Sequence, residues 1–156
     1  MKNVNLVFPN QLFKKSPLLQ KDGVFLIIEE ILFFKHFKYH VQKLILHRSS
    51  MKYYERFLQE NSKEVLYIEQ EESISDIREL IPYLKKEGYN KVNYILTNDN
   101  YLETRLTNSA KKCEIELNAF ENPMFLNSSL DLKSFFKPDK KKFYQTSFYI
   151  EQRKKL

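Results

Sequence analysis

The chain has 156 residues, of which 42% are hydrophobic and 15% aromatic, and its formal net charge is +6. This length fits one compact domain that buries roughly two-thirds of its unfolded surface, and the aromatic content excludes a largely disordered chain. A single cysteine excludes an intrachain disulfide and a cysteine-held iron–sulfur cluster within this chain, and two glycines exclude the glycine-rich loops that cradle phosphates. Because no apolar run approaches 18 residues, the sequence predicts no membrane span and a cytoplasmic protein.

Short β-rich runs alternate with segments of helical periodicity along the chain. The predicted strands are residues 4–8, 24–28, 64–68, 92–97 and 113–117. The second run is continuously apolar, as expected for a strand that is buried on both faces. The last run alternates between polar and apolar residues, which predicts a strand at the edge of the sheet.

Apolar residues that recur every three or four positions predict the helices between these strands. The first is long and occupies residues 41–61. The next follows a cap within residues 73–76 and contains Pro82, which predicts a kink because proline lacks the amide proton of an inner helical turn. Another begins after a cap at Asn98 or Asp99.

The alternation of strands and helices predicts an α/β, Rossmann-like three-layer domain, with a mostly parallel five-stranded sheet and helices on both faces. We predict that this domain spans residues 1–126 and that residues 127–156 form a basic, aromatic-rich connector with a short helix at 129–136. Residues 133–156 carry eight basic and two acidic residues, so residues 1–132 hold 18 of each sign and are neutral. A basic protein that binds nucleic acid through this tail is one interpretation of that excess.

Ligands of open α/β sheets bind outside the carboxyl ends of the strands, which directs attention to four loops, residues 9–13, 29–40, 69–73 and 98–101. After Pro9, the side chains of Asn10 and Gln11 offer donors and acceptors to a polar heterocycle, although Pro-Asn is also an ordinary turn. Glu29 and Glu30 end the second strand and point to opposite faces, which makes them a poor acid–base pair. One of them can accept hydrogen bonds from a ligand, or both simply mark the solvated end of the strand.

Basic residues and all three histidines are concentrated in residues 35–56, where Glu55 is the only acid. This segment is either an anion-binding or ligand-binding face, or a solvated helix face that the acidic stretch 64–79 balances. His36 and His40 stand four residues apart, a spacing that can hold a metal ion on a helix, but no third ligand is evident. These residues alone specify no reaction.

Several stretches of the first sixty residues match the pattern of a known family. Residues 6–12 read Leu-Val-Phe-Pro-Asn-Gln-Leu, similar to a hydrophobic strand followed by Gly-Asp-Gln-Leu, with Pro and Asn in place of Gly and Asp. Glu29 matches a glutamate after the second strand, and His40 and Lys43 match a His-x-x-Lys stretch. Residues 49–54, Ser-Ser-Met-Lys-Tyr-Tyr, are similar to Ser-Ala-Met-Arg-His-Phe. In this order they resemble the amino-terminal domain of the photolyase/cryptochrome superfamily.

Two later stretches agree with one branch, the deoxyribodipyrimidine photolyase-related or bacterial iron–sulfur type. Residues 122–126 resemble its Pro-x-Phe-Leu segment, and residues 148–156 resemble the Phe-Tyr-Arg-x-x-Arg-Lys stretch that leads into its flavin domain. Residue Ile150 stands where that stretch has Arg. The resemblance covers essentially the whole chain.

The resemblance implies that this chain is an antenna domain without catalysis of its own. In the family, an absent carboxyl-terminal domain carries FAD, the DNA-lesion site and the iron–sulfur cluster, so DNA would be contacted only through a full-length parent. The antenna of this branch is a small heteroaromatic chromophore, 6,7-dimethyl-8-ribityllumazine, which absorbs light and passes excitation to FAD. The residues expected to line it are Pro9, Asn10, Gln11, Glu29, Glu30, His36 and His40. The alternative is a stand-alone α/β module of signalling type that binds a nucleotide or a flavin.

Overall fold

The computed structural model describes residues 2–154, and among them five strands form one sheet. The strands are β1 (Lys2–Val7), β2 (Val24–Ile28), β3 (Val65–Ile68), β4 (Tyr89–Ile95) and β5 (Glu116–Phe120). Their order is β3-β2-β1-β4-β5, and every neighbouring pair is parallel. The chain moves outward from β1 to β3 and then returns to the other side of β1, so the topological switch point lies between β1 and β4.

Helices cover both faces of this sheet. Those of the first unit are α1 (Ile31–Phe34), α2 (Val41–Glu60), α3 (Ile77–Lys86) and α4 (Asn100–Cys113). On one face, α2 buries Met51, Tyr54 and Leu58 against Phe25 and Ile27. On the other face, α3 and α4 bury Leu80, Ile81 and Leu106 against Leu6 and Leu26. The predicted α/β, Rossmann-like three-layer fold is therefore confirmed.

Several element boundaries differ from the prediction, among them those of β1, β4 and β5. The fifth strand was placed too early, because α4 continues to Cys113 and Glu114 then takes a left-handed conformation with φ 52° before β5 begins at Glu116. The residue that caps α3 is Asp76, whose Oδ1 accepts a hydrogen bond from the Arg78 amide at 2.9 Å. Helix α3 continues through Pro82 to Lys86.

Residues 121–154 belong to a second compact unit, which contains α5 (Ser129–Phe135) and α6 (Gln145–Arg153). Helix α5 was predicted and α6 was not. An aromatic cluster joins the two helices, with neighbouring ring centroids 5.0–5.4 Å apart among Phe135, Phe136, Phe143 and Phe148. The predicted boundary at residue 126 and the connector role of this segment stay predictions. Within the described chain, no helix is both long and apolar enough to cross a membrane.

Candidate functional site

Gln11 links the carboxyl ends of β1 and β4 at the switch point. The residue is 2% exposed, and its Nε2 donates hydrogen bonds to the carbonyl oxygens of Ile95 and Leu96, both at 3.1 Å. Its Oε1 is buried and has no hydrogen-bond partner among residues 2–154. Because buried polar atoms are nearly always paired, this oxygen is a candidate contact for a ligand.

The turn that precedes Gln11 contains the two other predicted residues of this loop. Pro9 is buried and Asn10 half-buried, and the Gln11 amide donates to the Phe8 carbonyl at 3.0 Å. The interpretation of Pro9 and Asn10 as a turn is thus correct, and this turn directs the Gln11 side chain toward β4.

Glu29 lies at the end of β2 on the α2 side of the sheet and is 0% exposed. Its carboxylate accepts hydrogen bonds from Arg48 Nε at 2.7 Å and Nη2 at 2.6 Å, from the Tyr67 hydroxyl at 2.7 Å and from the Gln70 amide at 3.0 Å. Burial alone would raise the pKa of Glu29, but these hydrogen bonds outweigh it and hold that pKa below its ordinary value. Glu29 is therefore ionised, and its hydrogen bonds connect β2 to β3 and α2.

Glu30 lies on the opposite face and is also 0% exposed. Its Oε2 accepts a hydrogen bond from the Leu32 amide at 2.6 Å and so caps α1, whereas its buried Oε1 has no partner of normal geometry in the described chain. Burial raises the pKa of Glu30 to about 7, and the nearby amides of Leu32 and Ile77 oppose this only in part. The carboxyl group can therefore hold or release a proton near neutral pH.

These two carboxylates decide between the alternatives that the sequence left open. They point to opposite faces, as predicted from the alternation of a strand. The interpretation of Glu29 and Glu30 as the solvated end of β2 is wrong, because neither is exposed.

The two predicted histidines lie in the loop between α1 and α2 and do not share a helix. His40 Nδ1 accepts a hydrogen bond from the Gln42 amide at 3.2 Å and thereby caps α2. The His36 ring lies 6.4 Å from the ring of Tyr101 in the first turn of α4. The loops after β2 and β4 therefore approach each other over the edge where Gln11 lies. In the part of the chain that the structure describes, no three His, Cys, Asp or Glu side chains form a possible metal site.

Polar residues in and around the predicted loop 98–101 after β4 also line this edge, although Thr97, Glu103 and Arg105 were not predicted individually. Glu103 Oε2 accepts hydrogen bonds from the amide of Thr97 at 3.2 Å and from its hydroxyl at 2.9 Å. Arg105 donates to the Tyr101 hydroxyl through Nη2, while its buried Nη1 has no partner among the described residues. The signal available in the sequence was that this segment follows the fourth strand. The sequence does not give the strand order, so it could not show that this strand end lies at the switch point.

The basic segment 35–56 is partly neutralised by the acids that follow β3. Arg48 Nη2 lies 3.5 Å from Glu71 Oε2, in addition to its bonds with Glu29. Lys52 Nζ lies 3.9 Å from Glu69 Oε1 and 3.3 Å from Glu55 Oε2. For these two side chains, the interpretation as a helix face balanced by acidic residues is correct.

Comparison with known proteins places the chain in a family. A model of the family of deoxyribodipyrimidine photo-lyase-related proteins matches residues 5–156. The chain belongs to this family. It is also 33% identical over 166 residues to uncharacterized protein R852 of Acanthamoeba polyphaga mimivirus, covering 100% of this chain and 84% of the viral protein. The photolyase-related assignment is thus confirmed, whereas the iron–sulfur branch and the antenna role stay predictions.

Proposed function

We propose that this chain binds a planar heteroaromatic antenna chromophore at the carboxyl edge of its sheet. In this proposal it is the light-harvesting domain of a photolyase-related flavoprotein. Membership of the family supports the proposal, and so does the position of the switch point, where ligands of open α/β sheets bind. The observation that carries it is the buried, unpaired Oε1 of Gln11 at that point.

The residues present fit a chromophore of the lumazine type. The ring of 6,7-dimethyl-8-ribityllumazine has an imide N–H between two carbonyl groups, and this N–H needs an acceptor. Gln11 presents a buried oxygen without a partner in the described chain, and Glu30 presents one without a hydrogen bond of normal geometry there, although the Ile77 amide lies nearby. When bound, such a chromophore absorbs near-ultraviolet or blue light and passes the excitation to a flavin.

The protein side chains would orient and enclose the ring. Two hydrogen bonds hold the Gln11 amide group, so its free oxygen keeps one direction before any ligand arrives. Such preorganisation lowers the cost of ordering on binding. Glu30 can accept a hydrogen bond when ionised and donate one when protonated, and the rings of His36 and Tyr101 offer faces for packing. FAD, an iron–sulfur cluster and DNA are assigned to a further domain of a longer parent.

Titration with the chromophore tests this proposal. Added lumazine should show a shifted absorption band and altered fluorescence with the wild-type chain. Gln11→Met should weaken its binding about fivefold, since one hydrogen bond contributes about 1 kcal/mol. The matched control is Gln59→Met, the same change at an exposed position of α2, and it should bind like the wild type.

The outcomes separate the rival functions. If neither lumazine, folate nor deazaflavin binds to the wild-type chain, the antenna proposal fails. Equal affinity of Gln11→Met and Gln59→Met for the chromophore would show that the binding site does not lie at the switch point. Selective binding of FMN would favour the stand-alone signalling module instead. Thermal melts by circular dichroism check that each variant is folded.

A further inference from the structure

The outer face of α2 carries a row of residues spaced four apart, which we call the α2 ridge: Val41, Ile45, Ser49, Tyr53 and Phe57. Three of its large members are unusually open to solvent, with Val41 61% exposed, Ile45 59% and Tyr53 63%, and the adjacent Leu46 is 67% exposed. Phe57, at the end of the row, is half-buried against the core. Contiguous exposed apolar side chains of this kind mark an interaction surface.

The shape of the α2 ridge suits another helix. Rows of residues four apart form the ridges that pack into the grooves of a crossing helix. A small side chain, Ser49, occupies its middle, between Ile45 and Tyr53, and Ser50 is next to it in sequence. A partner can therefore approach the backbone closely at this point.

Depressions on both sides of Tyr53 add to this complementarity. A cavity of about 390 Å³ separates α2 from the loop after β1 and is lined by Leu12, Lys14, Ser49, Ser50, Tyr53, Tyr54 and Phe57. A second cavity of about 400 Å³ is lined by Arg48, Ser49, Lys52, Tyr53 and Arg56. Side chains of a docked helix can fill these spaces.

The charge around the α2 ridge selects the partner. Residues 35–60 contain six Lys and Arg residues against two acids, Glu55 and Glu60. The acids after β3 engage Arg48 and Lys52, but neither Lys38 nor Arg56 forms an ion pair among the described residues. A second copy packed on this face would place cations opposite cations, which opposes association. A partner with acidic residues is complementary.

We infer that the α2 ridge docks an amphipathic helix of a partner protein, with acidic residues on both sides of its apolar face. This inference concerns a surface separate from the carboxyl edge of the sheet and does not depend on chromophore binding.

Peptide binding to the full chain tests this inference. The probe is a fluorescein-labelled 20-residue helical peptide with an apolar i, i+3, i+4, i+7 face and Glu on both rims. Its partner probe has Lys in place of every Glu. By fluorescence anisotropy, the Glu peptide should bind saturably and more weakly as salt rises, and the Lys peptide should not bind.

Variants locate the contact on the α2 ridge. Ile45→Glu should weaken binding of the Glu peptide at least about tenfold, because a central apolar contact is replaced by a like charge. The matched control is Ile150→Glu, the same change at a 51% exposed position of α6, and it should bind like the wild type. Combining Lys38→Glu with Arg56→Glu should shift the preference toward the Lys peptide.

Each of the following outcomes would overturn the inference. The first is no binding of the Glu peptide, and the second is equal binding by Ile45→Glu and Ile150→Glu. Self-association in sedimentation that Ile45→Glu abolishes would assign the face to a second copy. Binding to phosphatidylglycerol vesicles that Ile45→Glu abolishes, without peptide binding, would assign it to a membrane.

Discussion

The two faces of the sheet handle buried polar groups differently. On the α2 side, the Glu29 carboxylate has four hydrogen bonds and a pKa below its ordinary value. On the side of α3 and α4, the Glu30 side chain, also 0% exposed, has one oxygen without a hydrogen bond of normal geometry among the described residues, and burial raises its pKa to about 7. The two residues are adjacent in sequence and both 0% exposed, but desolvation by burial dominates the pKa of Glu30, whereas hydrogen bonds outweigh it at Glu29.

Asparagines extend the polar character of the α2 side across the sheet. Asn5, Asn93 and Asn118 are direct register partners on β1, β4 and β5. Asn93 Nδ2 donates to Asn5 Oδ1 at 3.0 Å, and Asn118 Nδ2 donates to Asn93 Oδ1 at 2.8 Å. Polar side chains on this face thus satisfy one another, while β1 and β4 direct Val4, Leu6, Val92 and Tyr94 to the opposite face.

Removing Arg48 should produce the largest change in stability, because it takes away two of the hydrogen bonds that pair the buried Glu29 carboxylate. Arg48→Ala leaves the carboxylate of Glu29 buried with fewer donors. We expect a loss of about 3 kcal/mol in the free energy of unfolding, at the low end for broken buried pairs because Arg48 is partly exposed. Urea denaturation measures it, and Arg56→Ala, which removes the same side chain from an exposed position of α2, is the control. Equal stability of the two variants would show that the pair contributes little.

A pH series on Glu30→Gln should show the next largest effect. The pKa of Glu30 is raised in the folded state, so folding favours the protonated form. This contribution is fully present below about pH 4.5 and is lost as pH rises to about 7. Glu30→Gln should therefore gain stability relative to the wild type across that window, by up to about 3 kcal/mol.

Glu29→Gln should show the opposite trend and serves as the comparison. The pKa of Glu29 is lowered in the folded state, so its contribution is present above the ordinary pKa of a glutamate and is lost as pH falls through the folded value. The disadvantage of Glu29→Gln relative to the wild type should thus shrink in acid. Parallel pH profiles for both variants would contradict the difference between the faces.

Breaking the row of asparagines should have a smaller effect. Asn93→Ala removes the acceptor of Asn118 and the donor to Asn5, and we expect a loss of about 2 kcal/mol. Asn118→Ala, on the half-exposed edge strand, should cost less than about 1 kcal/mol, because water can replace its bonds there. Thermal or urea unfolding of both variants checks this order, and an equal loss would contradict it.

The fold was predictable where hydrophobic periodicity and burial agree. The apolar run of β2 and the spacing of α2 indicate their elements directly, and both lie where they were predicted. Residues 113–117 alternate like a strand, yet the first of them ends α4, because tertiary packing of α4 overrides local pattern. Helix α6 was not predicted, since its sequence has no capping residue before it.

The site was predictable by position but not by chemistry. Gln11 was predicted because it follows β1 and ligands bind at the carboxyl ends of parallel strands. The structure places Gln11 at the switch point. Its donors bind carbonyls more than eighty residues away in sequence, so neither that link nor the unpaired oxygen could be anticipated. Glu30 likewise owes its raised pKa to packing beside α3, which only the folded chain creates.

The row of asparagines has a consequence for how the parallel strands find their alignment. A strand that slides by two residues keeps its apolar face inward, so hydrophobic burial alone discriminates poorly against this error. Sliding β5 in this way would set Asn118 opposite Lys91 or Ile95 instead of Asn93. Buried amide groups would then lose their partners, which penalises the shifted pairing. The asparagines therefore favour the native register. They make strand pairing more specific at the edge of the sheet, where β5 pairs with a single neighbour.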